Sequence, residues 1–172
     1  MAETTYLKSL KGLSPEKRRL LELKLKKSGA LYNTFPLSFA QRRLWFIDQL
    51  EPGNAVYNIP FAYRIIKKVN VDILEKSLKE IINRHEILRT KFVVVNGEPV
   101  QIVQKKITFE VNIIEQSSAS HDELESNAKE LAAQEARQPF DLTDAPLMRA
   151  TLIRIADDQS LFLLTIHHII SD

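Results

Sequence analysis

The sequence predicts an α/β fold in which helices flank a mixed, largely antiparallel sheet. Three observations lead there. Apolar residues recur at helical spacing in segments that open on a cap and a partner three residues later, as at Ser38 and Gln41, Asp72 and Glu75, and Ser120 and Glu123. Between those segments lie runs of strand length rich in β-branched and aromatic residues. One pair of runs, Phe92 to Val95 and Val100 to Val103, is split by Asn96-Gly97, which favours a tight antiparallel hairpin because both positions accept a positive φ.

The elements follow in order. Ser14-Pro15-Glu16, an N-cap with proline at the first helical position, opens a short helix through Leu20, Leu21, Leu23 and Leu25 that Ser28-Gly29 stops. Its basic residues, from Lys17 to Lys27, are expected to make a solvated face rather than the alternative, a docking surface for a partner protein. Residues 1–33 are expected to be a leader or linker, and residues 34–172 the domain. A second helix starts at Ser38 with Leu44, Trp45, Ile47 and Leu50 as its apolar face, and ends in the turn Pro52-Gly53-Asn54. A strand is expected within Val56 to Ile66, at a sheet edge because of Pro60. Asp72 and Glu75 cap the next helix, which runs on Leu74, Leu78, Ile81 and Ile82 to about Arg84. After the hairpin, Ile107 to Ile114 is expected to extend the sheet. Ser120 opens a helix that Pro139 ends. Leu147 to Ile155 and Leu161 to Ile166 then form antiparallel neighbours, the second buried on both faces. Only six residues follow that apolar strand, so the chain is expected to be cut just past it.

Composition narrows the function. At 172 residues with 44% hydrophobic, the chain can bury one substantial core. Twenty-four Lys plus Arg against 22 Asp plus Glu leave a net charge of +2, too little field for a nucleic-acid partner. Absence of cysteine removes thiolate catalysis, disulfides and cysteine-ligated zinc together. No apolar run reaches the roughly twenty residues of a membrane span, and Met1 to Leu10 lacks the apolar stretch of a signal peptide. A cytoplasmic protein that binds neither membrane nor nucleic acid is expected.

The chemistry gathers at the end, His167-His168-Ile169-Ile170-Ser171-Asp172. Adjacent strand residues face opposite ways, so one imidazole can enter a site while its neighbour packs beneath it. Imidazole, with an ordinary pKa near 6.5, can take a proton from an attacking amine at neutral pH or position that amine. His168 and Asp172, four residues apart, could instead share a metal if the chain turned helical there. A carboxylate near a core needs a partner, and Arg84 and Arg89 are candidates. No serine or cysteine elbow is present, which favours direct attack between bound substrates over an acyl-enzyme.

Four segments, in order, resemble the opening stretch of nonribosomal peptide synthetase condensation domains. Ser38-Phe39-Ala40-Gln41-Arg42-Arg43-Leu44-Trp45 is similar to S-x-A-Q-x-R-L-W, and Arg84-His85-Glu86-Ile87-Leu88-Arg89-Thr90-Lys91-Phe92 to R-H-E-x-L-R-T-x-F. Pro139-Phe140-Asp141-Leu142 with Pro146-Leu147-Met148-Arg149 is similar to P-F-D-L-x-x-x-P-L-x-R. The final six residues resemble H-H-x-x-x-D-G without its glycine, a pattern that chloramphenicol acetyltransferase-like acyltransferases share generally. The resemblance implies one lobe, the amino-terminal one, of a two-lobed acetyltransferase-like pseudo-dimer with its active site in the tunnel between lobes. Its partners would be the second lobe and carrier-protein domains, whose phosphopantetheine arms bring the substrates; the chain itself would bind no cofactor and no metal.

By the same carry-over, His168 acts on the acceptor amine as it attacks the donor thioester, while His167 and Asp172 are structural. The family pairs that aspartate with an arginine, Arg84 being favoured here over Arg89 for its place beside the buried stripe of its helix. Trp45 and Arg43 would be packing and scaffold residues. The intact histidine pair argues against heterocyclising relatives and the Ser38 to Trp45 segment against epimerising ones, leaving the type that accepts an L-configured donor. A coenzyme A-dependent acyltransferase of the same fold and a noncatalytic interaction module are the alternative readings.

Overall fold

The computed structural model describes residues 33–116 and 120–171. The helix expected after Ser14 lies outside them, as does Asp172. The chain divides into compact units at Met1–Thr34 and Phe35–Asp172, and the core and site belong to the second.

From β1 (Asn33–Pro36) the chain enters α1 (Phe39–Leu50), then β2 (Asn58–Ile65), α2 (Val71–Arg84) and a 3-10 turn at Glu86–Arg89. The hairpin β3 (Thr90–Val95) and β4 (Glu98–Val103) follows, with Asn96 at φ 55° and Gly97 at φ 83°, the positive pair of a type I′ turn. Next come β5 (Asn112–Glu115), α3 (His121–Arg137), β6 (Met148–Ala156), β7 (Gln159–His167) and a closing 3-10 turn at His168–Ile170. The strands make two sheets, one in the order β1-β4-β3 and one in the order β2-β7-β6-β5. In the larger sheet β2 and β6 run antiparallel to β7 and β5 runs parallel to β6, the mixed, largely antiparallel pattern expected. Pro60 sits on β2, an edge strand, where a missing N–H costs no ladder bond.

Helices cover both faces of that sheet. Leu78 and Ile82 of α2 pack on Met148, Ala150 and Leu152 with Phe109 and Val111, while Ala128 of α3 packs on Ile153, Ile155 and Leu163. A further cluster, Leu37, Phe92, Leu142, Leu147, Ile169 and Ile170 with Leu44 and Trp45, lies beneath the last turn of the chain.

Three expectations are corrected. The cap of α2 is Asn70, whose side chain accepts from the Ile73 N–H at 3.1 Å, rather than Asp72. Glu75 is engaged elsewhere, taking the Lys79 ammonium at 2.6 Å and the Val111 N–H at 3.1 Å. That second bond also explains why Ile107 to Ile114 is not one strand. Val111 donates to a side chain instead of a ladder, Phe109 and Val111 bury against α2, and only Asn112–Glu115 pairs, with β6 rather than with the hairpin. The third concerns burial, because β6 and not β7 is the more completely covered strand. On β7 the buried Leu163, Thr165 and His167 alternate with half-buried Phe162, Leu164 and Ile166.

Candidate active site

Two backbone ladders converge where β7 ends. The His167 N–H donates to the Leu147 carbonyl at 3.0 Å, and the His168 N–H to the Tyr57 carbonyl at 2.8 Å, so the segments before β6 and before β2 both hold the histidine pair. Ile169 and Ile170, 3% and 5% exposed, anchor the 3-10 turn in the cluster below. Burying both isoleucines stabilises the turn by a few kcal/mol, on the order of 2 for each side chain.

His167 is buried and His168 half-buried, the division expected of neighbours at a strand end. Nδ1 of His167 accepts the Ile169 N–H at 3.1 Å, which requires its lone pair and leaves the ring proton on Nε2. Burial first, and the adjacent His168 second, push this imidazole down to about 4. Burial thus favours the neutral form of this side chain at physiological pH.

His168 is poised the other way. Its Nδ1 stands 2.7 Å from the Ser171 carbonyl oxygen, which has no proton to give, so Nδ1 carries the hydrogen and donates it. The neutral ring then keeps its lone pair on Nε2. An imidazole held by one nitrogen with the other free to accept is the arrangement general-base chemistry requires.

Around the pair the structure adds residues that the sequence pattern left without a role. Phe140 meets the His167 ring edge-on at 6.1 Å, and Tyr57 lies 6.5 Å from it. Behind Phe140, the Arg149 guanidinium stacks 3.9 Å from the ring centroid. Arg149 also binds the Glu135 carboxylate at 2.8 Å and the carbonyls of Gln138 at 2.7 Å and Glu135 at 3.1 Å. It thereby closes the end of α3, where carbonyls lack helical partners. Phe140 and Arg149 stand inside the segments quoted for the resemblance, but nothing in their spacing says that one stacks on the other. Tyr57 acts through its backbone and carries no sequence signal.

The two candidate arginines part company. Arg84, the last residue of α2, is exposed and not beside the buried stripe. The Arg89 side chain is only 15% exposed and bonds the Gln104 carbonyl at 2.6 Å and Glu86 at 3.3 Å. Asp172 lies outside the described residues, so neither arginine is assigned to it. Trp45 is half-buried in the cluster under the site, as expected. Arg43 is exposed instead and lines a shallow depression with Phe39, Phe46 and Pro99. Among the described residues no three His, Asp or Glu side chains come together to hold a metal ion. No helix among them is long and apolar enough to cross a membrane.

One imidazole of the pair is thus fixed at one nitrogen at the end of a sheet strand in a mixed α/β fold. The chain belongs to the condensation-domain family, whose model matches residues 32–172. It is 47% identical over 137 residues to one of the linear gramicidin synthase proteins of Brevibacillus parabrevis, covering 80% of this chain and 3% of that protein. Phosphinothricin tripeptide synthetase of Streptomyces viridochromogenes is 37% identical, over 93% of this chain and 16% of its own length. Among solved structures, a variant of the starter condensation domain of rhizomide synthetase superposes with a TM-score of 0.74 at 25% identity, over 81% of this chain and 34% of that one. The chain thus spans a small part of the synthetases and about a third of the crystallised condensation domain.

Proposed function

We propose that this chain supplies the histidine-bearing part of an amide-bond-forming condensation domain of a nonribosomal peptide synthetase. Its substrates are a donor acyl or peptidyl thioester and an acceptor aminoacyl group, each on the phosphopantetheine arm of a carrier-protein domain. The observation that carries the reading is the hydrogen bond from His168 Nδ1 to the Ser171 carbonyl, which leaves the lone pair of the neutral ring on Nε2 as an acceptor. The acceptor nitrogen attacks the thioester carbonyl, a C–N bond forms and the C–S bond breaks. His168 Nε2 receives the amine proton and returns it to the departing thiolate, so no proton is gained or lost overall.

His167 fixes the turn on which His168 sits, and Asp172 is assigned a structural role in the same loop. The family match from residue 32 and the compact unit from Phe35 support a domain that begins near residue 34, with residues 1–33 as a leader. Because the chain corresponds to 34% of the crystallised domain, it is expected to need the remainder for turnover and to be inactive alone. The reading places the reaction in the cytoplasm.

The test uses the complete condensation domain with carrier-bound donor and acceptor. His168→Ala should reduce condensation by about a hundredfold or more at an unchanged melting temperature, within the range typical of removing a general base. Full activity in that variant would overturn the assignment. Equal transfer from free acyl-coenzyme A would instead favour the coenzyme A-dependent reading.

A further inference from the structure

We propose that Gln41 is a positioning residue for His168, acting through the carbonyl of Ile169. Gln41 is the N3 residue of α1, and its two amide ends do different work. Oε1 accepts the Ser38 N–H at 2.9 Å and the Gln41 N–H returns a bond to Ser38 Oγ at 3.2 Å, a complete capping box. With its oxygen committed to the cap, the carboxamide has one orientation left, and its NH2 points at the active-site turn. Nε2 lies 3.4 Å from the Ile169 carbonyl and 3.5 Å from Gln101 Oε1. Gln101 in turn donates to the Pro36 carbonyl at 3.0 Å, which ties the strand leading into α1 to the same bridge.

Ile169 is the middle residue of the 3-10 turn that starts at His168, and it is 3% exposed. A carbonyl in such a place loses water and needs a donor from the protein. Its tilt also sets the path from His168 to Ser171, whose carbonyl holds His168 Nδ1. Capping alone does not ask for glutamine, since glutamate serves at N3 as well and suits the positive end of the helix. The NH2 group is the part of Gln41 that only the bridge uses. Glutamate there would set a carboxylate against two acceptor oxygens.

That difference separates the roles, and the inference rests on the proposed condensation activity only for its kinetic readout. In the complete domain, Gln41→Glu should keep the cap, lower the melting temperature because the Ile169 carbonyl loses its donor, and lower kcat about tenfold with KM for the acceptor little changed, because misplacing a base by a fraction of an ångström acts on turnover rather than binding. Ser38→Ala, which damages the cap and spares the bridge, should lower the melting temperature and leave kcat unchanged. Nitrogen-15 NMR of the His168 ring in this chain gives a readout that needs no substrate. The ring should be the Nδ1–H tautomer in the parent and lose that preference in Gln41→Glu.

Unchanged kcat and an unchanged tautomer in Gln41→Glu would overturn the proposal, as would an equal loss of kcat in Ser38→Ala. If the parent domain proves inactive in condensation, the functional reading fails and the tautomer decides this inference by itself. Should Gln41→Glu not fold, Gln41→Met, compared with Ser38→Ala as the control for a lost cap, carries the same test.

Discussion

Lowering the pH from about 7 to about 5 should destabilise this chain by about 2 kcal/mol through His167 alone. Burial holds the folded imidazole down to about 4, against an ordinary value of 6.5. The unfolded chain therefore binds this proton first, and between those values unfolding takes up protons. The contribution is complete above about pH 6.5 and is lost as the pH falls towards about 4. Near pH 5 the unfolded ring is almost fully protonated and the folded ring almost fully neutral, which over about 1.5 pH units corresponds to about 2 kcal/mol. His167→Asn is the control, since an amide oxygen can still accept the Ile169 N–H but does not titrate. Urea unfolding of both proteins near pH 7 and near pH 5 gives the comparison, with carboxylates such as Asp141 and Glu75, held low by their hydrogen bonds, common to both. The parent should lose about 2 kcal/mol more than the variant. Equal losses would refute the argument that burial of a neutral His167 underlies the effect.

Arg149→Met should destabilise by about 3 kcal/mol in urea unfolding, because a charge-assisted bond to Glu135, the carbonyl contacts at the end of α3 and the stack on Phe140 go together; a loss under about 0.5 kcal/mol would show the clamp to be decorative. Gly97→Ala should cost about 1 kcal/mol from its φ of 83° alone, since no atom lies within 4 Å of the added methyl, and an unchanged urea midpoint would mean the hairpin turn relaxes freely.

The sequence patterns that proved readable are those whose physics is local. The capping box at Ser38 and Gln41, the cap at Ser120, the Asn96-Gly97 hairpin and the edge placement of Pro60 each depend on residues within a few positions of one another. Asn70 displaced Asp72 as a cap because Glu75, the expected partner, is drawn to Val111, a contact 36 residues away that no local pattern encodes. The same contact broke the strand expected over Ile107 to Ile114. At the site, the opposite exposures of His167 and His168 follow from strand alternation. The stack of Arg149 on Phe140 and the bridge from Gln41 to Ile169 depend on packing between distant elements, and only the folded chain reveals them. The resemblance placed the chain in its family; periodicity alone would have ended at an α/β sheet with two histidines.

The pairing of two adjacent histidines has a geometric reason that a strand by itself cannot supply. In an extended chain the residue three positions on lies roughly 10 Å away, out of reach of an imidazole. His168 nevertheless reaches the Ser171 carbonyl at 2.7 Å, because β7 stops at His167 and a 3-10 turn begins at once. What stops the strand is His167 itself. Its Nδ1 takes the Ile169 N–H, the role an N-cap side chain plays at a helix start, so that the backbone leaves the ladder just after the His168 N–H has bonded the Tyr57 carbonyl. That cap needs the Nδ1 lone pair, and the lone pair exists only while the ring is neutral, which burial enforces. The turn then fixes the proton of His168 on Nδ1 and leaves Nε2 to accept. Protonating the buried histidine would remove the cap, loosen the turn and free the tautomer of its neighbour, so the chemistry of the second imidazole depends on the desolvation of the first.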